Sequence, residues 1–325
     1  MKKIIDELNN VKTIGIGGHI HPDGDCVGST MALYLYLKKV MPQAEVKVYL
    51  ETPADIFRVI KDFDEIQNEI DINNPPEVFI ALDCSKDRLG FSEPFFDKAI
   101  KSMNIDHHIS NGGNGDVTYI VTNASSTSEL IYDLIDDSQL DTDIAQALYI
   151  GILHDTGVFQ YSNTSPKTLR TVARLLEFNF DFTKIIDETF YEKTYLQSQI
   201  LGRALLESIL ILDGKCIVSS VDLKNMAFYG VNSKDLDGIV NQLRIIKGVD
   251  CAVFMYQTGN MEYKVSMRSN EKVNVSRIAT YFGGGGHKKA AGCTMNGTFH
   301  DVINNLSLHI ESEIISNYQE NQLNS

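Results

Sequence analysis

The sequence predicts an α/β protein: a parallel sheet with flanking helices, then a smaller α/β domain, joined by a helical linker, with a cleft between the two domains. Three observations predict it. The first half alternates apolar β-type runs with helical patterns, the signature of a parallel sheet covered by helices. At 325 residues the chain exceeds what one compact core usually serves. The Asp213-Gly214 turn signal opens a second series of strands behind a long helical stretch.

In order along the chain, residues 11–17, 46–50, 78–82 and 103–105 read as strands, because apolar and β-branched residues dominate them. A helix over 25–40 carries Val27, Met31, Leu35 and Leu37 and ends before Pro42. Two more helices are expected over 126–135 and 142–154. Residues 190–212 hold no proline and only Gly202 as a glycine, so they read as the connecting helix between domains 1–189 and 213–325. The second domain is expected to contain strands at 216–221, 251–257 and 263–268, a glycine-rich turn, and a C-terminal helix whose polar end, 319–325, frays.

Hydrophobic residues make up 43% of the chain, which supports a folded protein. No run of about 18 uncharged apolar residues occurs. The start, Met1-Lys2-Lys3-Ile4-Ile5-Asp6-Glu7, lacks the apolar core of a signal peptide, and a cytoplasmic protein without membrane contact is expected. The five cysteines are odd in number and widely spaced, so they read as small buried residues rather than a disulfide framework or zinc ribbon. A net charge of −14 argues against long duplex DNA as a partner, though not against a small anion. Between 264 and 289 the balance reverses: Lys264, Arg268, Lys272, Arg277, Lys288 and Lys289 face only Glu271. An oligomer is compatible with this composition.

Ionisable residues sit where the parallel strands should end, the place where open α/β sheets bind ligands. Four segments contribute: Gly18-His19-Ile20-His21-Pro22-Asp23-Gly24-Asp25, Ala81-Leu82-Asp83-Cys84, Ile105-Asp106-His107-His108 and Leu153-His154-Asp155-Thr156. Alone, Pro22 to Asp25 reads as a turn and N-cap, and a single Asp83 or Asp155 as a helix cap. Neither an EF-hand from Asp23, which would need an oxygen ligand at Val27 and Glu at Tyr34, nor a dinucleotide fingerprint from Gly15, which ends in Ile20, fits. The four segments together favour a shared site. Asp23, Asp25, Asp83 and Asp155 converging there would repel one another. Two divalent cations would cancel that charge, and oxygen with imidazole ligation suits Mn²⁺. Such ions, about 3.5–4 Å apart, could activate a water and clamp a phosphoryl group.

The ordered set His19-x3-Asp23-x-Asp25-x2-Gly28-Ser29, Asp83, Asp106-His107-His108 and Asp155 resembles the motifs of the DHH phosphoesterase family, over roughly residues 10 to 190. The resemblance implies one metal held by His19, Asp23 and Asp83, and another by Asp25, Asp83, His107 and Asp155, with Asp83 bridging. It also implies that Asp106 supports the histidines and that His108 contacts phosphate or assists proton transfer. His21 alternates with His19 as in H-x-H metal hydrolases, and a supporting role is expected for it. His154-Asp155 mimics an HD-domain dyad, but that fold is all-helical. Ser125, Ser126 and Thr127 open a helix and are expected to cap it.

Gly283 to Gly286 with His287, Lys288 and Lys289 combine backbone freedom with cations, yet they form no P-loop, and a flexible packing loop is the plain alternative. The segment up to Gly292 resembles the G-G-G-H-x-x-A-(A/G)-G motif of the DHH-associated domain, over about residues 215 to 315. By that resemblance Gly284, Gly285, Gly286 and His287, with Arg268 from the Ser266-Met267-Arg268-Ser269 strand end, grip a terminal phosphate or base; Arg suits it through its planar fork.

No Ser-Arg-Lys-Lys motif of the manganese pyrophosphatases is present, no room exists for the added domain of RecJ-type exonucleases, and the motifs begin near residue 10 without a membrane segment ahead of them. The remaining resemblance is to the nanoRNase and pAp-phosphatase group, with substrates among short RNA oligonucleotides, linear dinucleotides and pAp (3′-phosphoadenosine-5′-phosphate). Soluble phosphodiesterases of cyclic di-AMP or pApA are the alternative. An H-x-H hydrolase and an inactive nucleotide-binding regulator are lesser ones.

Overall fold

The computed structural model describes residues 3–270 and 272–323, so Glu271, counted in the charge pattern above, lies outside them together with Asn324 and Ser325. The chain divides into two compact units, Met1–Glu192 and Lys193–Ser325.

The first unit runs β1 (Thr13–Gly17), α1 (Gly24–Val40), β2 (Glu45–Tyr49), β3 (Val78–Leu82), α2 (Glu93–Lys98), β4 (Lys101–Asp106), β5 (Val117–Ile120), α3 (Thr127–Leu134), α4 (Thr142–Asp155), α5 (Pro166–Leu176) and α6 (Phe182–Ile186). Its five strands form a wholly parallel sheet in the order β2-β1-β3-β4-β5. Every residue of β3 is buried. Val78, Ile80 and Leu82 face the main core with α1, α3 and α4, while Phe79 and Ala81 face Phe95 and Phe96 of α2. Burial on both faces is why β3 reads as a continuous apolar run, whereas β2 at the sheet edge alternates buried and exposed residues. The strand order reverses between β1 and β3, so a crevice opens beyond their carboxyl ends, where His19 and Asp83 lie.

Strand β5 and helix α5 were not expected. The former has only four residues, half of them polar or aromatic, and pairs through β4 rather than announcing itself by pattern. The latter starts at a Ser165/Thr168 capping box with Pro166 in its first turn.

The second unit runs α7 (Tyr195–Leu206), β6 (Ile209–Ile211), β7 (Cys216–Val221), α8 (Leu223–Tyr229), α9 (Ile239–Arg244), β8 (Cys251–Gly259), β9 (Glu262–Ser269), α10 (Val275–Tyr281), β10 (Gly285–His287), β11 (Ala290–Asn296) and α11 (Phe299–Leu323). The sheet order is β10-β11-β9-β8-β7-β6, with β7 and β8 parallel and the other pairs antiparallel. Alternation sorts the strands' side chains onto two faces. Cys251, Val253 and Met255 pack with Val275, Ile278, Val302 and Leu306, whereas Ala252 and Phe254 pack with Ile200, Ala204, Ile239 and Leu243. The sheet is thus covered by helices on both sides.

Three expectations are corrected. Residues 190–212 are not one connecting helix. A π-turn at Asp187–Tyr191 precedes α7, which starts at a Thr194/Gln197 capping box and packs within the second unit, and β6 follows as the first arm of a hairpin. The Asp213-Gly214 signal is that hairpin's turn, with Leu212, Asp213 and Gly214 all at positive φ. The glycine-rich turn is only partly a turn: Gly283 and Gly284 precede β10, whereas Gly285 and Gly286 lie in that strand and the β10–β11 hairpin turns at Lys288 and Lys289. Residues 319–323 continue α11 despite their polar composition.

Candidate metal centre

Each expected ligand of the first unit sits at the end of a rigid element. His19 follows β1. Its Nδ1 lies 2.8 Å from the Ile20 carbonyl oxygen, which can only accept, so Nδ1 carries the proton and Nε2 is left for the crevice. Asp23 is the N-cap of α1, its Oδ1 accepting from the Asp25 and Cys26 amides at 3.1 Å each. The N-cap reading of Asp23 holds, and the capping carboxylate also lies 3.6 Å from His19 Nε2. Asp83 follows β3 at φ +60, a left-handed conformation that costs a non-glycine residue about 1–2 kcal/mol and turns the carboxylate into the crevice.

Asp83 is the hub. Its Oδ2 is 3.4 Å from His19 Nε2 and its Oδ1 is 3.5 Å from His107 Nε2. His107 Nε2 also lies 3.3 Å from Asp155 Oδ2 and 4.0 Å from Asp25 Oδ2. Asp155 ends α4, which comes close to α1 and α3 at Gly151: a Cβ there would stand 1.9 Å from Ser128 Oγ and 2.9 Å from Asp25 Oδ1. Asp106, at the end of β4, accepts from the amides of His107 and His108, from His108 Nδ1 at 2.7 Å and from Asn111 at 2.6 Å. His108 is thereby fixed through Nδ1.

The electrostatics are those of a site short of positive charge. Burial, and then Asp25, hold Asp83 well above the usual carboxylate range. Burial with Asp25 and Asp83 raises Asp155 to about 9. Burial would lower His19, but hydrogen bonds to Asp23 and Asp83 outweigh it and raise it to about 10. His107 Nε2 is buried without a hydrogen-bond partner, among three carboxylate oxygens. A divalent cation answers both deficits, since it takes a lone pair from the imidazole and neutralises the carboxylates. Among the described residues, three groups with metal-ligating separations occur here: Asp83/Asp106/His107/His108, Asp25/His107/Asp155 and His19/Cys26/Asp83. Burial and the neighbouring carboxylates push the Cys26 thiol up, so it stays protonated; it and the other four cysteines are buried and free.

The other two histidines of the first unit stand apart. His21 is almost fully exposed and faces Glu51, with Nδ1 3.4 Å from its carboxylate. His154 turns away from Asp155, to the hydroxyl of Thr189 at 3.0 Å and the rings of Phe57 and Phe190. Burial lowers its pKa to about 4. Neither geometry suits an H-x-H or HD pair.

Sequence reasoning missed part of the site. Ser126 does cap α3, accepting from the Glu129 amide, but Thr127 and Ser128 also donate backbone N–H groups to Asp25, and Thr127 Oγ1 donates to Asp83. Asn104 and Asn111 complete the support beneath Asp106. No local pattern marks these contacts, which join residues far apart in the chain.

In the second unit, Arg268 on β9 is in register with Ala290 on β11, which pairs with His287 on β10. Arg268 and His287 therefore share one row and one face of the sheet. Arg268 Nε donates to Asn241 Oδ1 at 3.1 Å, and its Nη1 to the Met267 carbonyl at 3.0 Å. A Cβ at Gly284 would lie 2.2 Å from the Gly292 carbonyl oxygen, and one at Gly286, with φ +139, 2.5 Å from that of Ala290. Hairpin packing excludes a side chain at those two positions, whereas Gly285 faces open space and His287 is exposed. The cationic stretch is partly neutralised: Lys272 pairs with Asp250 and Arg277 with Glu313. No helix among the described residues is long and apolar enough to cross a membrane.

Comparison with known proteins agrees with this architecture. The model of the DHH family N-terminal domain matches residues 13–152, and that of the DHHA1 domain matches residues 213–315. The chain is 29% identical over 301 residues to the bifunctional oligoribonuclease and PAP phosphatase NrnA of Thermus thermophilus, covering 91% of this chain and 89% of that protein. It is 25% identical over 298 residues to the NrnA of the same description from Bacillus subtilis, covering 90% and 92%. The crystal structure of an exopolyphosphatase-related protein from Bacteroides fragilis superposes with a TM-score of 0.87 at 23% identity, over 97% of this chain and 96% of that one, which shows a shared fold. Both domain types are present in this order, a DHH domain followed by a DHHA1 domain.

Proposed function

We propose that this protein hydrolyses phosphoesters of short nucleotides, releasing 5′-mononucleotides from oligoribonucleotides and AMP plus phosphate from pAp. The observation that carries the reading is Asp83, whose two oxygens face His19 on one side and His107 on the other within a cluster short of positive charge. The names of the relatives that match about nine-tenths of the chain support the substrate class.

His19, Asp23 and Asp83 would hold one divalent ion, and Asp25, Asp83, His107 and Asp155 a second, with Mn²⁺ the best match to these donors. When bound, the ions supply Lewis-acid charge to the phosphoryl group and the attacking water. Asp106 holds the proton of His108 at Nδ1, so that Nε2 can take a proton from the attacking water and return it to the leaving oxygen as the bond from phosphorus to that oxygen breaks. Recognition of a phosphate or base is assigned to Arg268, Gly284, Gly285, Gly286 and His287.

The test is incubation with Mn²⁺ and a 5′-labelled trinucleotide, beside pAp, pApA and cyclic di-AMP. Metal-dependent release of mononucleotides from the trinucleotide and of AMP from pAp is expected. Turnover of cyclic di-AMP or pApA alone would replace this reading with the dinucleotide one, and no turnover of any of the four would end it.

A further inference from the structure

Thr127, the first residue of α3, is completely buried and touches two of the clustered carboxylates at once. Its N–H donates to Asp25 Oδ2 at 2.6 Å, and its hydroxyl donates to Asp83 Oδ1 at 3.0 Å. The next amide, of Ser128, donates to Asp25 Oδ1 at 2.9 Å, so both oxygens of Asp25 are fixed by one helical turn.

That turn is itself held rigidly. The Ser126 hydroxyl accepts from the Glu129 amide at 3.0 Å. The buried Glu129 carboxylate accepts from Ser125 Oγ at 2.5 Å, Thr168 Oγ1 at 2.6 Å and Lys167 Nζ at 2.9 Å. Asn163 Nδ2 donates to the carbonyl oxygens of Ser125 at 2.8 Å and Asp155 at 3.1 Å, which ties the same turn to the end of α4. Asp25, Asp83 and Asp155 come from three elements, yet all three are registered against the start of α3.

We propose that Thr127 is a positioning residue for the metal centre, its hydroxyl orienting the Asp83 carboxylate while its amide and that of Ser128 orient Asp25. The inference rests on reading the cluster as a divalent-metal site. Groups that fix ligand orientation from behind typically contribute about 10–100-fold to metal affinity. The backbone N–H donors to Asp25 are kept in every variant but proline, so the hydroxyl can be tested separately from the helix.

The experiment compares wild type with Thr127→Val, which keeps the branched shape and removes the hydroxyl, and with Thr127→Ser, which restores it. Titration of Mn²⁺ into the metal-free protein is followed by calorimetry, and hydrolysis is measured across Mn²⁺ concentrations. Thr127→Val is expected to bind Mn²⁺ at least about tenfold more weakly, with the Mn²⁺ concentration for half-maximal rate raised in step, KM at saturating Mn²⁺ unchanged and Thr127→Ser near wild type. Thr127→Ala gives the same comparison if the valine variant does not fold. Wild-type affinity in a folded Thr127→Val or Thr127→Ala protein would overturn the proposal. Absence of Mn²⁺ binding by wild type would instead overturn the metal-site reading beneath it.

Discussion

Asp83 Oδ2 lies 3.4 Å from His19 Nε2, while its other oxygen lies 3.5 Å from the Nε2 of His107, so one carboxylate at the end of β3 connects two imidazoles from β1 and β4. The relationship depends on the positive φ of Asp83, which Asn tolerates as well as Asp.

Asp83→Asn is therefore expected to fold yet lose on the order of 1000-fold in kcat/KM, because the charge that bridges the two halves of the site is gone. His21→Ala, which alters only an exposed residue facing Glu51, is expected to keep its metal content and rate within about twofold. Circular dichroism, metal analysis and trinucleotide hydrolysis check both. A metal-free His21→Ala protein would revive the H-x-H alternative.

Glu129 gives a pH-dependent prediction. Burial alone would raise its pKa, but hydrogen bonds from Ser125, Thr168 and Lys167 outweigh it and hold the carboxyl below its usual value. A depressed folded-state pKa stabilises the protein above the unfolded value, near 4.3, and that contribution disappears as pH falls through the folded value. Glu129→Gln should cost about 1–2 kcal/mol at pH 7, and the difference from wild type should shrink as the pH drops below about 4. Urea denaturation at several pH values measures it; a gap independent of pH would contradict the ionised-carboxylate account.

Arg268 and His287 occupy one row of the second sheet, so their removal should act on recognition rather than chemistry. Arg268→Ala is expected to raise KM for pAp or a trinucleotide about tenfold or more, with His287→Ala in the same direction and smaller. Bis-p-nitrophenyl phosphate, which carries no nucleotide, should be hydrolysed at nearly the wild-type rate by both. Equal losses on nucleotide and ester would remove the recognition role.

Much of the first unit is legible from local pattern. The apolar run ending at Leu82 is followed at once by Asp83, and that run is β3 with unchanged bounds. Helix α1 starts within one residue of its expected position, because Asp23 caps it and two amides report that cap. The second unit is less legible around its glycines. Gly285 and Gly286 read as a turn, yet they form an edge strand paired with Ala291 and Gly292, because strand pairing is a property of the partner as much as of the segment.

By itself the sequence determined which residue types end which strands, since a strand's apolar run and the ionisable residue behind it are neighbours in the chain. Only the tertiary structure decided that Thr127 meets Asp25 and Asp83, residues 102 and 44 positions away, and that His154 turns to Thr189 while Asp155 joins the cluster. Local pattern fixes an element and its faces, but the direction of a single side chain is set by what packs against it from elsewhere in the fold.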